Sequence, residues 1–406
     1  MPSATSAAMA EQVTPDQALR IAEAHFLKTA PHRAPGGNVA VMQPSLVLDA
    51  RDASGSTDYY VFSGGTQGGY VIVAGDDRAP GVLAYSDEGT FDPADMPDGM
   101  RYMLGVYAQE MAMLRNCPPD YSPASRAGQE NAVKPMLTCN WNQNTPFNNL
   151  CPTYDSGGKT LRSVTGCVAT ATAQIMYYHK HPAHGTGSNT YECKVNETNP
   201  QTLSAVFEHT TYQWDKMLND YSGEYNADQG NAIATLLYHV GVAVGMQYGQ
   251  TSAVHIFWMM NALRNHFGYN RQMRQYNREA MTTSQWETLI FNELADGRPI
   301  LFDGTASDGG HAFVLDGYDA KGYVHINWGW GGKSNGYFML TALNPDTQGI
   351  GSFEGGYNTS QTIIAGICPS QGEEEPEPYF DVTADSFTAS GSQVKLGEKC
   401  PCFSGI

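Results

Sequence analysis

The chain is short of basic residues. Among 406 residues, 23 are lysine or arginine and 41 are aspartate or glutamate, giving a formal net charge of −18. No Lys/Arg cluster breaks that excess, which makes nucleic acid a poor partner, since phosphates are met by a basic surface. No apolar run has the length of a membrane span. Residues 1–10 lack both a basic leading region and an apolar stretch, so no secretion signal is expected there. The eight cysteines, at positions 117, 139, 151, 167, 193, 368, 400 and 402, form no Cys-x-x-Cys pair. A zinc site is therefore not expected, nor is any other metal or cofactor. They are too sparse for a disulfide scaffold, although an isolated bridge such as Cys139 with Cys151 stays open. What is plentiful is glycine, 43 residues, and tyrosine, 23, as in a protein rich in loops and sheet.

Along the chain, Thr14-Pro15-Asp16-Gln17 caps a helix predicted over 14–30, with Ala18, Ile21, Ala22 and Phe26 at helical spacing. Aromatic and β-branched runs at 58–62, 69–75 and 82–86 read as strands, and 99–114 reads as a second helix. This is a small α+β unit without a cluster of reactive side chains. Residues 116–132, with Pro118, Pro119 and Pro123, read as an exposed linker open to proteolysis. A second unit follows over 131–370. It has helices at 166–179, 232–244, 258–267 and 284–294, the last with Ser284 and Glu287 as a capping box. Residues 184–225 look irregular. Strands at 299–303, 312–318, 323–328, 337–340 and 361–367 then form an antiparallel sheet. The fold class is α+β, a helical half followed by a sheet half, with a cleft between them. Glu373 to Pro378 is an acidic proline linker, and residues 379–406 resemble the start of a further β module.

One helix holds the chemistry. Cys167 follows Thr165-Gly166 and opens the run Val168 to His179. A thiol at a helix N-terminus meets the positive end of the macrodipole and unpaired N–H groups, which favour thiolate. A helical cysteine is more often a small core residue, so it gains meaning only from partners. His311 stands behind Gly309 and Gly310 at a strand start, and its separation from Cys167 falls within the roughly 130–150 residues of papain-type pairs. Asn327 and Trp328 follow on the next strand, where the amide can orient the imidazole and the indole can shield that bond. Gln143, upstream in an amide-rich loop, can donate to an oxyanion. The order Gln, Cys, His, Asn-Trp is that of nucleophilic amide hydrolysis.

The papain-type run around the cysteine is absent. Instead, Gly166 to His179, Gly309 to Tyr318, and His325 to Gly332 continuing through Leu343-Asn344-Pro345 resemble the streptopain family of bacterial cysteine proteases, with looser similarity over about residues 55–368. The resemblance implies a papain-like catalytic domain behind an inhibitory propeptide covering about residues 1–130, released by a cut in the linker. It implies Cys167 as nucleophile, His311 as base and Gln143 in the oxyanion hole. Gly310 matches a substrate-contacting glycine, and the matching serine falls at Ser252 or Ala253 in a loop shorter by one residue. Asn327, Trp328 and Trp330 support the histidine and the cleft. Substrates would be proteins or peptides, with the propeptide as the chain's own inhibitor and an extracellular location. Two rivals remain at this level: acyl transfer to another acceptor, and a catalytically silent binding or adhesion protein on the same fold.

Overall fold

The structure is a computed structural model that describes residues 12–29, 43–65, 68–118, 129–197, 200–306, 309–341 and 361–372. Its first helix, α1 (Pro15–Thr29), starts where Thr14 and Gln17 cap each other: the Thr14 oxygen accepts from the Gln17 N–H, and the Gln17 side chain accepts from the Thr14 N–H at 2.7 Å. Four antiparallel strands follow, β1 (Ser45–Arg51), β2 (Thr57–Ser63), β3 (Tyr70–Ala74) and β4 (Val82–Ser86), and then helix α2 (Asp98–Asn116). Strand alternation divides their side chains. Tyr60, Phe62, Val71 and Val73 pack against α1 through Ala18, Ala22 and Phe26, while Tyr59, Val61, Ile72 and Ala74 face α2.

The C-terminal part contains hairpin β5 (Thr153–Ser156) and β6 (Lys159–Arg162), helix α3 (Cys167–His179), hairpin β7 (Ser188–Lys194) and β8 (Pro200–Val206), helices α4 (Ala227–Ala243) and α5 (Phe257–His266), strand β9 (Arg274–Asn277) and helix α6 (Thr283–Ala295). Five strands close it: β10 (Ile300–Ala306), β11 (Gly309–Tyr318), β12 (Val324–Asn327), β13 (Gly336–Phe338) and β14 (Gln361–Ala365). Both hairpins in the stretch before α4 escape a hydrophobic-pattern reading because their faces are largely exposed. Thr282, not Ser284, caps α6: its oxygen accepts from the Gln285 N–H, and Gln285 answers to the Thr282 N–H at 2.9 Å. The helix thus begins two residues earlier than its periodicity suggests. Helix α3 is not amphipathic either. Val168 through Tyr177 are all buried, as expected of a helix at the centre of a core.

The two parts of the chain share one sheet. Ten strands make one sheet, in the order β1-β2-β3-β4-β13-β12-β11-β10-β14-β9. The seam is β4 against β13, with Tyr85 opposite Tyr337 and Ala84 opposite Phe338. Side chains reinforce it. The Met339 N–H donates to Leu83 O at 3.0 Å; the Tyr85, Tyr323 and Tyr70 hydroxyls donate to Asp319, Val82 O and Ser334 O, each at 2.8 Å. Helix α2 bridges both parts, packing on β2 and also on β10 and β11. Residues up to Ser370 therefore cluster as one compact unit. Beyond it only Gln371 and Gly372 are described, so the acidic linker and the C-terminal strand lie outside the described residues. No helix among the described residues is long and apolar enough to cross a membrane.

Candidate active site

Cys167 is the first residue of α3, and Gly166 ahead of it has φ 90°. A side chain at Gly166 would be strained at that angle and would lie 2.8–2.9 Å from Met246 and from Ser252 O, so glycine is required there. The Gly166 N–H donates to Gln143 Oε1 at 3.1 Å, and the Thr165 N–H donates to Gln143 O at 3.2 Å. With the amide oxygen so held, the Gln143 amide nitrogen is left as a donor beside the cysteine, and it has no protein partner among the described residues. Burial pushes the Cys167 thiol above its ordinary pKa; the backbone N–H groups of Ala312, Val168 and Cys167 nearby oppose the rise, and the Asp303 carboxylate adds to it.

His311 lies in β11 next to Ala312. The register is regular, with Asp303 opposite Ala312, Gly304 opposite His311 and Thr305 opposite Gly310. Residues directly opposite share a face. Leu301, Ala312 and Val314 belong to the core around α3, so Asp303 and the exposed Gly310 open on the side of Cys167. Phe302 and Phe313 belong to the core that contains α2, and His311 is in phase with them. Helix α2 comes very close here. A Cβ on Gly304 would fall 2.2 Å from the Tyr102 ring, and one on Gly99 would fall 2.8–2.9 Å from Phe313 and Trp328. The N-terminal part therefore lies against the strands that carry His311.

Three expected roles are not met. Asn327 is buried and sits opposite Val314, not opposite His311. Its Oδ1 accepts from Gln174 Nε2 and from the Gly329 N–H, both at 3.0 Å, and its Nδ2 donates to Cys139 O at 2.9 Å. With both lone pairs of that oxygen engaged, no acceptor remains for the imidazole. The amide instead ties α3 to β12. Trp328 donates to Ser334 O at 2.8 Å and packs on Phe313 and Phe338; it is an apolar wall and not the shield of an Asn–His bond. Ser252 is buried, its hydroxyl donating to Val164 O at 2.7 Å and accepting from the Gly249 N–H. That hydroxyl braces the loop, so it is unavailable to a substrate. Ala253 is exposed, but its N–H and C=O both pair with Gln247, leaving a methyl group. Trp330 is half-buried, near Asp95, which meets Lys333. Cys139 and Cys151 are both buried free thiols, so no bridge joins them.

Asp303 and His255 escaped the sequence reading. A single acid ending the apolar run Pro299 to Phe302 reads as a turn residue, and only the β10–β11 register brings it beside Cys167. Burial raises the Asp303 pKa, against the pull of His255 and His311 nearby. Among the described residues no group of three or more histidine, cysteine or acidic side chains is placed to hold a metal ion.

The chain is similar to proteins of one family over most of its length. Residues 141–338 match the model of the Peptidase C10 family, and residues 10–111 match that of the Spi protease inhibitor. Streptopain of Streptococcus pyogenes is 37% identical over 331 residues, covering 78% of this chain and 82% of that protein. The thiol protease/hemagglutinin PrtT of Porphyromonas gingivalis is 33% identical over 413 residues, covering 97% of this chain and 46% of that protein. Among solved structures, the Prevotella intermedia prointerpain A fragment superposes with a TM-score of 0.67 at 32% identity, covering 80% of this chain and 99% of that one. Active interpain A superposes with a TM-score of 0.52 at 36% identity, covering 61% and 99%. The match to the Peptidase C10 model, the inhibitor-type unit ahead of it and the identity with streptopain place the chain in the streptopain (C10) family of cysteine peptidases.

Proposed function

We propose that the chain is a secreted endopeptidase made as a zymogen and working through a Cys167–His311 dyad. The observation that carries this reading is the Gln143–Gly166 bond, which leaves an amide donor and the first N–H groups of α3 converging beside the Cys167 sulfur. His311 takes the thiol proton, and the thiolate attacks the peptide carbonyl carbon. The oxygen gains negative charge, met by the Cys167 N–H and the Gln143 amide. The carbon–nitrogen bond breaks, and the amine leaves with the proton from His311. Water then loses a proton to His311 and attacks the acyl group. The acid product departs and the thiol is restored.

Latency follows in the same reading. Tyr102 and Gly99 of α2 lie against the strands that carry His311, and Asp95 meets Lys333 near Trp330. A cut in the 116–132 linker would let residues up to about 130 depart as the propeptide. The test is the full chain beside Cys167→Ala, followed by intact mass and casein digestion. The wild type should shorten to a species starting within that linker and then digest casein, while the variant stays whole. Two chains that both stay whole, and stay inert after the linker is nicked by an added protease and the nicked sample is diluted, would overturn the reading.

A further inference from the structure

Asp303 is a carboxylate beside the nucleophile without an evident structural duty. Its strand neighbour on the Cys167 face is Ala312, and the next position along that face is Gly310. Neither side chain is large enough to cover it. Among the described residues no hydrogen bond or ion pair engages the carboxylate. Asp303 is half-buried, and a carboxylate drawn even partly out of water gains from a partner. Its charged surroundings are the Cys167 thiol on α3, His255 on the exposed loop before α5, His311 on β11 and the Tyr102 hydroxyl on α2. None of them supplies a permanent cation. Across β14, the residue opposite Asp303 is Thr362, which is uncharged as well.

We propose that Asp303 determines substrate specificity: it lines the cleft beside Cys167 and receives a lysine or arginine side chain of the substrate close to the scissile bond. A substrate cation would supply the partner that the fold withholds. Arginine can do so in a bidentate way, and the low local dielectric strengthens the pairing relative to water. His255 stands at the outer edge of the same place. Its Nδ1 accepts from the Phe257 N–H, so Nε2 is the atom turned away from its own backbone. This exposed imidazole is the rim of the proposed subsite. The inference rests on the cysteine peptidase reading of the same cleft.

The experiment uses the matured wild type, Asp303→Asn and His255→Ala. Each is assayed on fluorogenic peptides that carry lysine, arginine, leucine or glutamate in turn at the two positions on either side of the cut. At one of those positions, the wild type should cleave the lysine and arginine peptides at least ten-fold faster, in kcat/KM, than the glutamate peptide. Asp303→Asn should bring that ratio to within about two-fold; the ratio, not the rate on any one peptide, is the readout, since the carboxylate also acts on the Cys167 thiol. A matured enzyme active on all peptides, with equal preference in wild type and Asp303→Asn, would overturn the specificity role and leave the peptidase reading intact. A chain inactive on every peptide would sink the peptidase reading first. Because Asn matches Asp in size, loss of fold is checked by thermal unfolding.

Discussion

Two amides close to the cysteine have opposite destinies at the residue scale. Gln143 has its oxygen fixed and its nitrogen available. Gln143→Ala should cut kcat by about 10²–10³-fold with little change in KM, the mark of a donor used only as charge develops; steady-state kinetics on one peptide decides it. Asn327 has its hydrogen-bonding capacity spent on Gln174, Gly329 and Cys139. Asn327→Ala should cost about 2–4 kcal/mol of stability, since it strands buried partners. Thermal unfolding in a Cys167→Ala background, free of self-digestion, gives that number. Cys167 and His311 stand out in the sequence as candidates for nucleophile and base because amide hydrolysis asks for such groups in that order and spacing. Asn327 was misread for the same reason: its place after His311 suits an orienting amide, and only the three-dimensional bonds show where the amide is used. Asp303 was not legible at all, because strand register, not composition, sets what a lone acid faces.

In the proposed zymogen, helix α2 is the element on which latency turns. Gly99 admits Phe313 and Trp328 at a distance where any side chain collides. Gly99→Leu should lift the helix from β11 and speed maturation of the full chain several-fold, as read by the appearance of the shortened band. The specific activity after maturation should equal the wild type, since the substitution departs with the N-terminal piece. Slower maturation, or a weaker matured enzyme, would count against this. Helices were well read from sequence, since α1, α2, α3, α4 and α5 have strong apolar faces or apolar runs. Capping sharpened them: α4 begins at an Asn226–Gln229 box, with the Asn226 oxygen accepting from the Gln229 N–H at 3.0 Å. The pairs β5–β6 and β7–β8 were missed because they hold polar residues on exposed faces, where alternation carries little signal.

Three histidines, His25 and His239 buried and His179 half-buried, shape the acid response of the whole molecule. His25, His179 and His239 are each pushed down to about 4, chiefly by burial, and Lys321 and Lys28 add to the effect at His25 against the opposing pull of Asp319. A histidine of about 4 when folded and about 6.5 when unfolded binds more protons unfolded, so it costs stability as pH falls from 6.5 towards 4 and no further below that. Asp58 and Asp87, raised by burial, act in the opposite sense over a lower range. In the Cys167→Ala chain, Tm should fall between pH 6.5 and 4, and His25→Phe should flatten that slope. An unchanged slope would show that His25 contributes nothing. Its ring packs 4.6 Å from Tyr85, so the effect belongs at the joint between the two parts. That joint could not be read from sequence, because β4 and β13 carry no local mark that they pair with each other.

The seam between β4 and β13 separates two events that are easily taken for one. A protease that severs the 116–132 linker cuts no rung of the sheet, so the nicked chain keeps its rungs, its tyrosine clasps and α2 in place. Activation then becomes a dissociation equilibrium, and concentration governs it. A nicked preparation should gain activity on dilution and lose it on concentration, as a tight non-covalent complex with its own cleaved fragment does.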